Sequence, residues 1–148
     1  MTTLSRAIEI AVAAHAGQTD KVGAPYILHP LRVMESLTTE EERIVGVLHD
    51  VVEDCPDWPM DRLRREGFSE VILAALATVT KLSEDEDYTA FIARAASDPI
   101  GRRVKRADLL DNLDVTRLPE VTDKDARRLS KYLQALVQLD DKASPSRS

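Results

Sequence analysis

The fold of this chain depends on one stretch near its centre, Gly46-Val47-Leu48-His49-Asp50-Val51-Val52-Glu53-Asp54. It is an apolar run that carries four groups able to bind a metal or to move protons, in two adjacent pairs. On a helix, His49 and Glu53 lie four apart on one stripe and Asp50 and Asp54 on the next, so all four would share one broad face. Burying a carboxylate without a partner costs several kcal/mol, which is much of the stability of a small domain. The stretch therefore predicts a partner for His49 and Asp50, and a divalent metal is the simplest one.

Length and composition predict one soluble domain. The chain has 148 residues, of which 43% are hydrophobic and 31% are charged, and these values suit a single domain with its own core. We expect this domain to span residues 1–142, followed by a flexible tail at 143–148. A net charge of -6 argues against general binding to nucleic acid or to acidic membranes.

The compartment is predicted from cysteine content and from the N-terminal sequence. The single cysteine, Cys55, cannot form an intramolecular disulfide, so the chain suits a reducing environment. The apolar run near the N-terminus is short and is interrupted by Glu9, which disfavours a signal peptide or a transmembrane span. We therefore expect a cytoplasmic protein.

Apolar residues recur at helical spacing through most of the chain, and no stretch has the period of two that is typical of a strand. The pattern predicts an all-α fold, a single compact bundle of roughly seven or eight helices. Thr38 and Glu41 predict a capping box for the helix that carries the central stretch, and Cys55-Pro56 predicts its end. In the last helix, the predicted buried residues are Leu129, Tyr132, Leu133, Leu136 and Val137.

Candidate metal ligands occur in three separated places: His29, the pair His49-Asp50, and Asp108. Two imidazoles and two carboxylates suit manganese, iron or a magnesium-like ion better than a closed structural zinc site, which prefers thiolates. Such a metal can polarise a phosphate group and lower the pKa of a bound water. Each residue also has a simpler role available: Asp108 could pair with a neighbouring basic residue, and Glu53 and Asp54 could be ordinary charges at a helix end.

Five motifs occur in a recognisable order. They are His15-Ala16-Gly17-Gln18, Gly23-Ala24-Pro25-Tyr26-Ile27-Leu28-His29-Pro30-Leu31, His49-Asp50-Val51-Val52-Glu53-Asp54, Val79-Thr80-Lys81-Leu82 and Ala107-Asp108. Together they resemble the hydrolase domain of the RelA/SpoT family over about residues 4–118 of this chain. The length resembles that of the small, hydrolase-only members, because no residues remain for a synthetase or regulatory domain.

The resemblance implies a helical domain of the HD type that uses Mn²⁺ to remove the 3′-diphosphate from ppGpp or pppGpp, releasing GDP or GTP and pyrophosphate. Its partner would be a small nucleotide substrate, with no nucleic acid and no membrane. Carried over by motif, the implied metal ligands are His29, His49, Asp50 and Asp108. The implied catalytic pair is Glu53 and Asp54, and the implied substrate-binding residues are Lys21, Lys105 and Asn112.

Three residues depart from the family pattern. Asp20 stands where the family usually has an arginine that packs on the guanine base, and a carboxylate cannot make that cation–π contact. Asp111 stands where a histidine is typical, and Val115 replaces a common threonine. Two alternatives therefore stay open: an HD-type phosphohydrolase of another nucleotide or pyrophosphorylated metabolite, and a nucleotide-binding module without turnover.

Overall fold

Helices form nearly all of the regular structure in residues 2–142, the part of the chain that this computed structural model describes. Their bounds are α1 Leu4–Ala14, α2 Leu28–Glu35, α3 Glu40–Leu48, α4 Val51–Asp54, α5 Met60–Glu66, α6 Glu70–Thr78, α7 Tyr88–Ala96, α8 Pro99–Asn112 and α9 Asp123–Lys142, with a 3-10 turn at Val115–Arg117 between the last two. Within residues 2–142 there is no β-strand, only an isolated bridge between Thr19 and Pro25. If α4 is counted as the continuation of α3, the described residues form eight α-helices, and the predicted all-α fold is confirmed. The predicted tail at 143–148 lies outside the described residues.

Side-chain caps explain where several helices begin. Each capping oxygen accepts a hydrogen bond from an amide of the first turn that has no partner inside the helix, and such a cap is worth about 1 kcal/mol. The capping residues are Thr3, Thr39, Ser69, Asp87 and Asp98. The capping box of α3 is formed by Thr39 and Glu42, so the predicted pair, Thr38 and Glu41, was one residue too early. Glu42 is buried and also accepts a hydrogen bond from Arg103 of α8 at 3.1 Å, and this tertiary contact favours the later register.

Two adjoining cores hold the helices together. The larger core gathers apolar side chains of α1, α2, α3, α6 and α8, with Ile10, Leu48 and Leu76 fully buried. The smaller core lies between α7, α8 and α9 and consists of Ile92, Ala96, Leu109, Ala135 and Leu139. Burying one such large side chain contributes about 1.5–3 kcal/mol. Helix α8 contributes buried side chains to both cores, Val104 to the larger and Leu109 to the smaller. Its polar residue Asp108 therefore lies at the junction between them.

The buried face of α9 differs from the predicted one. Leu133 and Val137 are 54% and 63% exposed, whereas Ala135 and Leu139 are buried. The apolar residues of α9 cover more of its circumference than one stripe, and only the packing of α7 and α8 selects the stripe that is covered. The prediction that Leu133 and Val137 are buried was therefore wrong.

The central helix is interrupted within the stretch that was predicted to be continuous. Helix α3 ends at Leu48 and α4 begins at Val51, with His49 and Asp50 between them. In an uninterrupted α-helix the Gly46 carbonyl would accept a hydrogen bond from the Asp50 amide. Here the same carbonyl accepts from His49 Nδ1 at 2.6 Å and from the His49 amide at 3.5 Å. The His49 side chain therefore competes for the backbone acceptor, and the chain bends at the candidate metal ligands.

No helix within residues 2–142 combines the length and the apolar character that a membrane crossing requires.

Candidate metal centre and adjoining cavities

Three helical segments bring the four predicted metal ligands together. His29 lies in the first turn of α2, His49 and Asp50 lie at the bend between α3 and α4, and Asp108 lies in α8. His29 Nε2 is 2.9 Å from Asp108 Oδ1 and 3.8 Å from Asp50 Oδ2. The ligand atoms of His29, His49 and Asp50 all lie within 4.8 Å of one another. Segments that are far apart in the sequence therefore meet at one point.

A contact at Nδ1 orients each of the two imidazole rings. His49 Nδ1 donates to the Gly46 carbonyl at 2.6 Å, and His29 Nδ1 lies 2.6 Å from Asp111 Oδ2. Metal-binding histidines are usually held in this way, with Nδ1–H on a carbonyl or carboxylate and Nε2 left for the metal. His49 Nε2 is buried and has no hydrogen-bond partner, although Asp50 and Asp108 oxygens lie 3.2 and 3.3 Å away.

Hydrogen bonds from residues other than the four predicted ligands also hold the carboxylates of Asp50 and Asp108. Tyr26 donates its hydroxyl proton to Asp50 Oδ2, and this contact adds a residue of the loop before α2 to the site. Lys105 donates to Asp108 Oδ2 at 2.9 Å, and Asn112 donates to Asp108 Oδ1 at 3.2 Å. These contacts fix both carboxylates with oxygens toward the two imidazole Nε2 atoms.

The protonation of the four groups is interdependent. Burial alone would lower the pKa of His49, but the charges of Asp50 and Asp108 outweigh it and raise that pKa well above its ordinary value. Burial would also lower the pKa of His29, but the hydrogen bonds that its ring donates to Asp108 and Asp111 raise that pKa above its ordinary value. Burial would raise the pKa of Asp108, yet Lys105 and His49 hold it well below its usual range. Protons on the imidazoles thus balance the carboxylates, and a divalent cation can replace those protons.

The donor set fits a divalent metal. Two Nε2 atoms and two carboxylates converge, one buried Nε2 has no other partner, and no thiolate takes part, since Cys55 bonds to the Ala14 carbonyl and lies beside His15. Nitrogen and oxygen donors of this kind suit manganese, iron or magnesium-like ions. The residues that would hold the ion are His29, His49, Asp50 and Asp108.

The predicted catalytic pair lies on α4, one turn beyond the bend. Glu53 Oε1 accepts a hydrogen bond from the Lys81 amide at 2.9 Å, which joins α4 to the loop after α6. The surroundings of Asp54 disfavour its ionised form. Desolvation, and then the negative charges of Asp50 and Glu53, raise the pKa of Asp54 to about 6. A carboxylate with this pKa can accept a proton near neutral pH.

Two cavities meet at the candidate metal centre. The smaller has a volume of about 200 Å³ and contains the predicted ligands and the pair Glu53 and Asp54, with Lys81, Lys105 and Lys131 in its wall. The larger, of about 380 Å³, lies on the other side of His29, between the 19–26 loop, α2 and the segment after α8. The residues common to both are Tyr26, His29, Asn112 and Tyr132. The result is one cleft with two lobes, and the metal ligands lie where the lobes meet.

The three predicted substrate-binding residues all line this cleft, in different ways. Lys21 is exposed on the loop beside the larger lobe. Asn112 lies at the boundary of both lobes. Lys105 lines the smaller lobe, but its ammonium group is already bound to Asp108.

The residues that depart from the family pattern have distinct positions. Asp20 Oδ1 accepts hydrogen bonds from the Val22 and Ala24 amides at 3.0 and 2.9 Å, so the carboxylate stabilises its own loop. Asp111 contacts His29 directly. Val115 is 41% exposed and is not among the residues that line either lobe.

Sequence reasoning missed several residues of the cleft. Tyr26 and Lys81 belong to the quoted motifs but were not assigned a role. Arg32, Arg117 and Tyr132 lie outside those motifs, and no local signal distinguishes them from ordinary surface or core residues. Only the packing of α2, α8 and α9 places them beside the metal centre.

Fold and site together define a class of protein, an all-helical domain with a candidate metal centre of histidines and aspartates at the junction of three helical segments. Comparison with known proteins gives the relatives. The chain is 34% identical over 121 residues to guanosine-3′,5′-bis(diphosphate) 3′-pyrophosphohydrolase of Aquifex aeolicus, an alignment that covers 74% of this chain and 17% of that protein. It is 33% identical over 153 residues to the bifunctional (p)ppGpp synthase/hydrolase RelA of Mycobacterium tuberculosis, covering 94% of this chain and 20% of that protein. The chain is therefore a relative of the RelA/SpoT proteins, and the resemblance predicted from its motifs is confirmed.

A solved structure supports the fold. The metazoan ortholog of SpoT, described as hydrolysing ppGpp and as having a role in starvation responses, superimposes with a TM-score of 0.73 at 23% identity and covers 96% of this chain and 94% of that one. No family model matches the chain. The chain spans about a sixth of the length of these curated relatives.

Proposed function

We propose that this protein is a divalent-metal-dependent hydrolase, using Mn²⁺, that removes the 3′-diphosphate of ppGpp or pppGpp. The observation that carries the proposal is the convergence of His29, His49, Asp50 and Asp108, with His49 Nε2 buried and unpartnered, at the junction of the two lobes. The 3′-pyrophosphohydrolase of Aquifex aeolicus supplies the substrate class by its name.

In the proposed reaction, water adds to the phosphorus attached to ribose O3′ and the bond between that phosphorus and O3′ breaks. A bound metal would supply positive charge at the phosphoryl oxygens and acidify the attacking water. Asp54 accepts a proton of this water, because its pKa of about 6 leaves it deprotonated at neutral pH. O3′ takes up a proton as the products, GDP or GTP and pyrophosphate, form.

The lobes have separate roles in this proposal. Lysines in the wall of the smaller lobe face the position of the scissile diphosphate and would stabilise its charge: Lys81, Lys105 and Lys131. The larger lobe would hold the nucleoside, with Lys21 at its edge and Asn112 at the boundary. Because Lys105 also binds Asp108, it would act on both the metal ligand and the diphosphate.

One observation favours a second candidate, the same chemistry on a different nucleotide or pyrophosphorylated metabolite. The carboxylate of Asp20, beside the larger lobe, stabilises the 20–24 loop, so this position provides no cation for stacking on guanine. A change of substrate would leave the metal centre intact and alter only the selection of the base.

A nucleotide panel tests both candidates. Purified protein is incubated with Mn²⁺ and ppGpp, pppGpp or the adenine counterparts, and products are resolved by anion exchange. The alarmone proposal predicts release of pyrophosphate from ppGpp with a clear preference over the adenine analogues. Equal rates on guanine and adenine substrates would favour the second candidate. Tight nucleotide binding without turnover, in protein that holds the metal, would instead identify a binding module.

A further inference from the structure

Asp111 connects the candidate metal centre to the larger lobe of the cleft. Its Oδ2 atom lies 2.6 Å from His29 Nδ1. The same carboxylate accepts two hydrogen bonds from Arg32, from Nε to Oδ1 at 2.8 Å and from Nη2 to Oδ2 at 3.1 Å. Arg117 Nη2 lies 3.5 Å from the same Oδ2 atom and donates to the Asp111 carbonyl at 2.8 Å. One side chain is thus shared by a predicted ligand and two cations of the cavity wall.

The geometry fixes the orientation of His29. When Nδ1–H points at a carboxylate, the ring cannot turn without losing a charge-assisted hydrogen bond, and Nε2 must face Asp108 and Asp50. The carboxylate also increases the electron density on Nε2, which strengthens it as a metal ligand. His49 obtains its orientation from a neutral backbone carbonyl instead, so only His29 has a charged partner at Nδ1.

The arginines hold Asp111 in place for this contact. Two parallel hydrogen bonds from one guanidinium fix the plane of the carboxylate, and Asp111 is 12% exposed. The pKa of Asp111 is lowered to about 2, because hydrogen bonds from His29 and Arg32 outweigh the effect of burial. The contacts with Arg32 thus involve both oxygens of the carboxylate, and one of these oxygens faces His29 Nδ1.

We propose that Asp111 is a positioning residue for the metal centre: it holds His29 with Nε2 toward the cation and is itself held by Arg32 in the larger lobe. This inference rests on the proposed function only in requiring that a divalent cation binds at His29, His49, Asp50 and Asp108. It gives a role to a residue that departs from the pattern of the related proteins.

The competing explanation is that Asp111 merely joins α2 to α8. Both explanations predict a loss of stability when Asp111 is replaced. They differ in metal affinity, because a purely structural link does not act on His29 Nε2. Arg32→Ala is the comparison variant, because it removes the ion pair between Arg32 of α2 and Asp111 of α8 and leaves the Asp111 carboxylate beside His29 Nδ1.

The test measures binding of Mn²⁺ to metal-free protein by titration calorimetry for wild type, Asp111→Ala, Asp111→Asn and Arg32→Ala, with folding of each checked by circular dichroism. Loss of such an outer contact typically weakens metal binding by about 10–100-fold, and we expect this for Asp111→Ala. Asp111→Asn keeps an acceptor oxygen, so we expect a smaller loss of Mn²⁺ affinity. This variant takes the place of Asp111→Ala if the alanine protein does not fold. Arg32→Ala should weaken binding less than Asp111→Ala, since the carboxylate loses one of the groups that hold it but keeps its contact with His29. The absorption spectrum of bound Co²⁺ should change in Asp111→Ala alone.

Unchanged Mn²⁺ affinity in a folded Asp111→Ala protein would overturn the proposal, as would equal weakening by Arg32→Ala. The result is separable from the proposed function. Wild-type protein that binds Mn²⁺ but hydrolyses no nucleotide would contradict the proposed activity and still allow the role of Asp111 to be measured. Wild-type protein that binds no divalent cation would contradict both.

Discussion

Asp54 and Glu53 are adjacent, yet their surroundings differ. Glu53 is held by the Lys81 amide, whereas Asp54 is affected mainly by desolvation and by the nearby charges of Asp50 and Glu53. Two neighbouring carboxylates with different surroundings are suited to different tasks. Glu53 is suited to orient water and Asp54 to accept its proton.

We therefore predict that Asp54→Asn lowers kcat by about 10²–10⁴-fold, the usual contribution of a positioned proton acceptor. In the wild type, the rate should fall as pH decreases through the pKa of Asp54, about 6, because only the ionised carboxylate accepts a proton. A bound cation would move this acid limb of the pH–rate profile to lower pH, since the cation favours the ionised form of Asp54. A pH profile of kcat/KM measured with saturating metal checks this.

Asp54→Glu provides the control, because it keeps a carboxylate and should keep an acid limb at reduced rate. A wild-type rate that rises as pH falls from about 7 to about 5 would contradict a proton-accepting role for Asp54.

At the scale of the elements, the loop between α6 and α7 depends on one side chain of α7. Arg94 donates to the Ala77 and Thr80 carbonyls at 2.7 and 2.9 Å and binds Glu86 through two further hydrogen bonds. This loop carries Lys81, whose amide holds Glu53. Arg94 thus fixes the loop that completes the smaller lobe, although it does not itself line that lobe.

Arg94→Ala should free this loop and lower kcat/KM by about tenfold, because small displacements of positioning groups are costly to catalysis. Hydrogen exchange at the amides of residues 80–86 should become faster, while the affinity for Mn²⁺ should stay unchanged. Exchange mass spectrometry and steady-state kinetics measure the two effects.

Arg64→Ala is the matched control, since Arg64 forms exposed ion pairs on α5 and lines neither lobe. If Arg94→Ala accelerates loop exchange without any loss of kcat/KM, the loop does not position Glu53 for catalysis.

At the scale of the whole molecule, charge is distributed unevenly. The chain carries a net charge of -6, but the larger lobe of the cleft is lined by more basic than acidic residues. The basic residues are Lys21, Arg32, Arg117 and Arg128, and the acidic ones are Asp20, Asp111 and Asp114. In the proposed function, recognition of the phosphorylated substrate depends on this local field and not on the net charge of the chain.

Because the ligands come from α2, the α3–α4 bend and α8, a bound cation should stabilise the whole fold. At a Mn²⁺ concentration of about 100 times its Kd, linkage predicts about 2.7 kcal/mol of added stability. For a chain of this size that corresponds to a rise in Tm of about 5–11 °C. Thermal unfolding followed by circular dichroism, with and without Mn²⁺, measures the shift.

Asp50→Ala should abolish this rise, since it removes one ligand and the partner of the Tyr26 hydroxyl. Arg64→Ala should retain it. A full Mn²⁺-dependent shift in Asp50→Ala would show that the cation binds elsewhere.

Local sequence was enough to predict much of this molecule. Helical periodicity and caps such as Ser69 and Asp98 are local features, so the helices and the all-α fold could be predicted from neighbours within a turn. The burial cost of His49 and Asp50 predicted a shared partner without any knowledge of the fold. The position of Asp108 beside them was predicted by motif resemblance and not by spacing.

The sequence by itself thus determined the helices, the residue types of the candidate metal centre and the family resemblance, because these depend on residue type and short-range spacing. Only the tertiary structure decided that the helix bends at His49, that Leu139 rather than Leu133 is buried, and that Asp111 lies beside His29 Nδ1. Each of these depends on contacts between helices distant in sequence. No local pattern encodes which acceptor a buried imidazole will find once α2, α3 and α8 have packed.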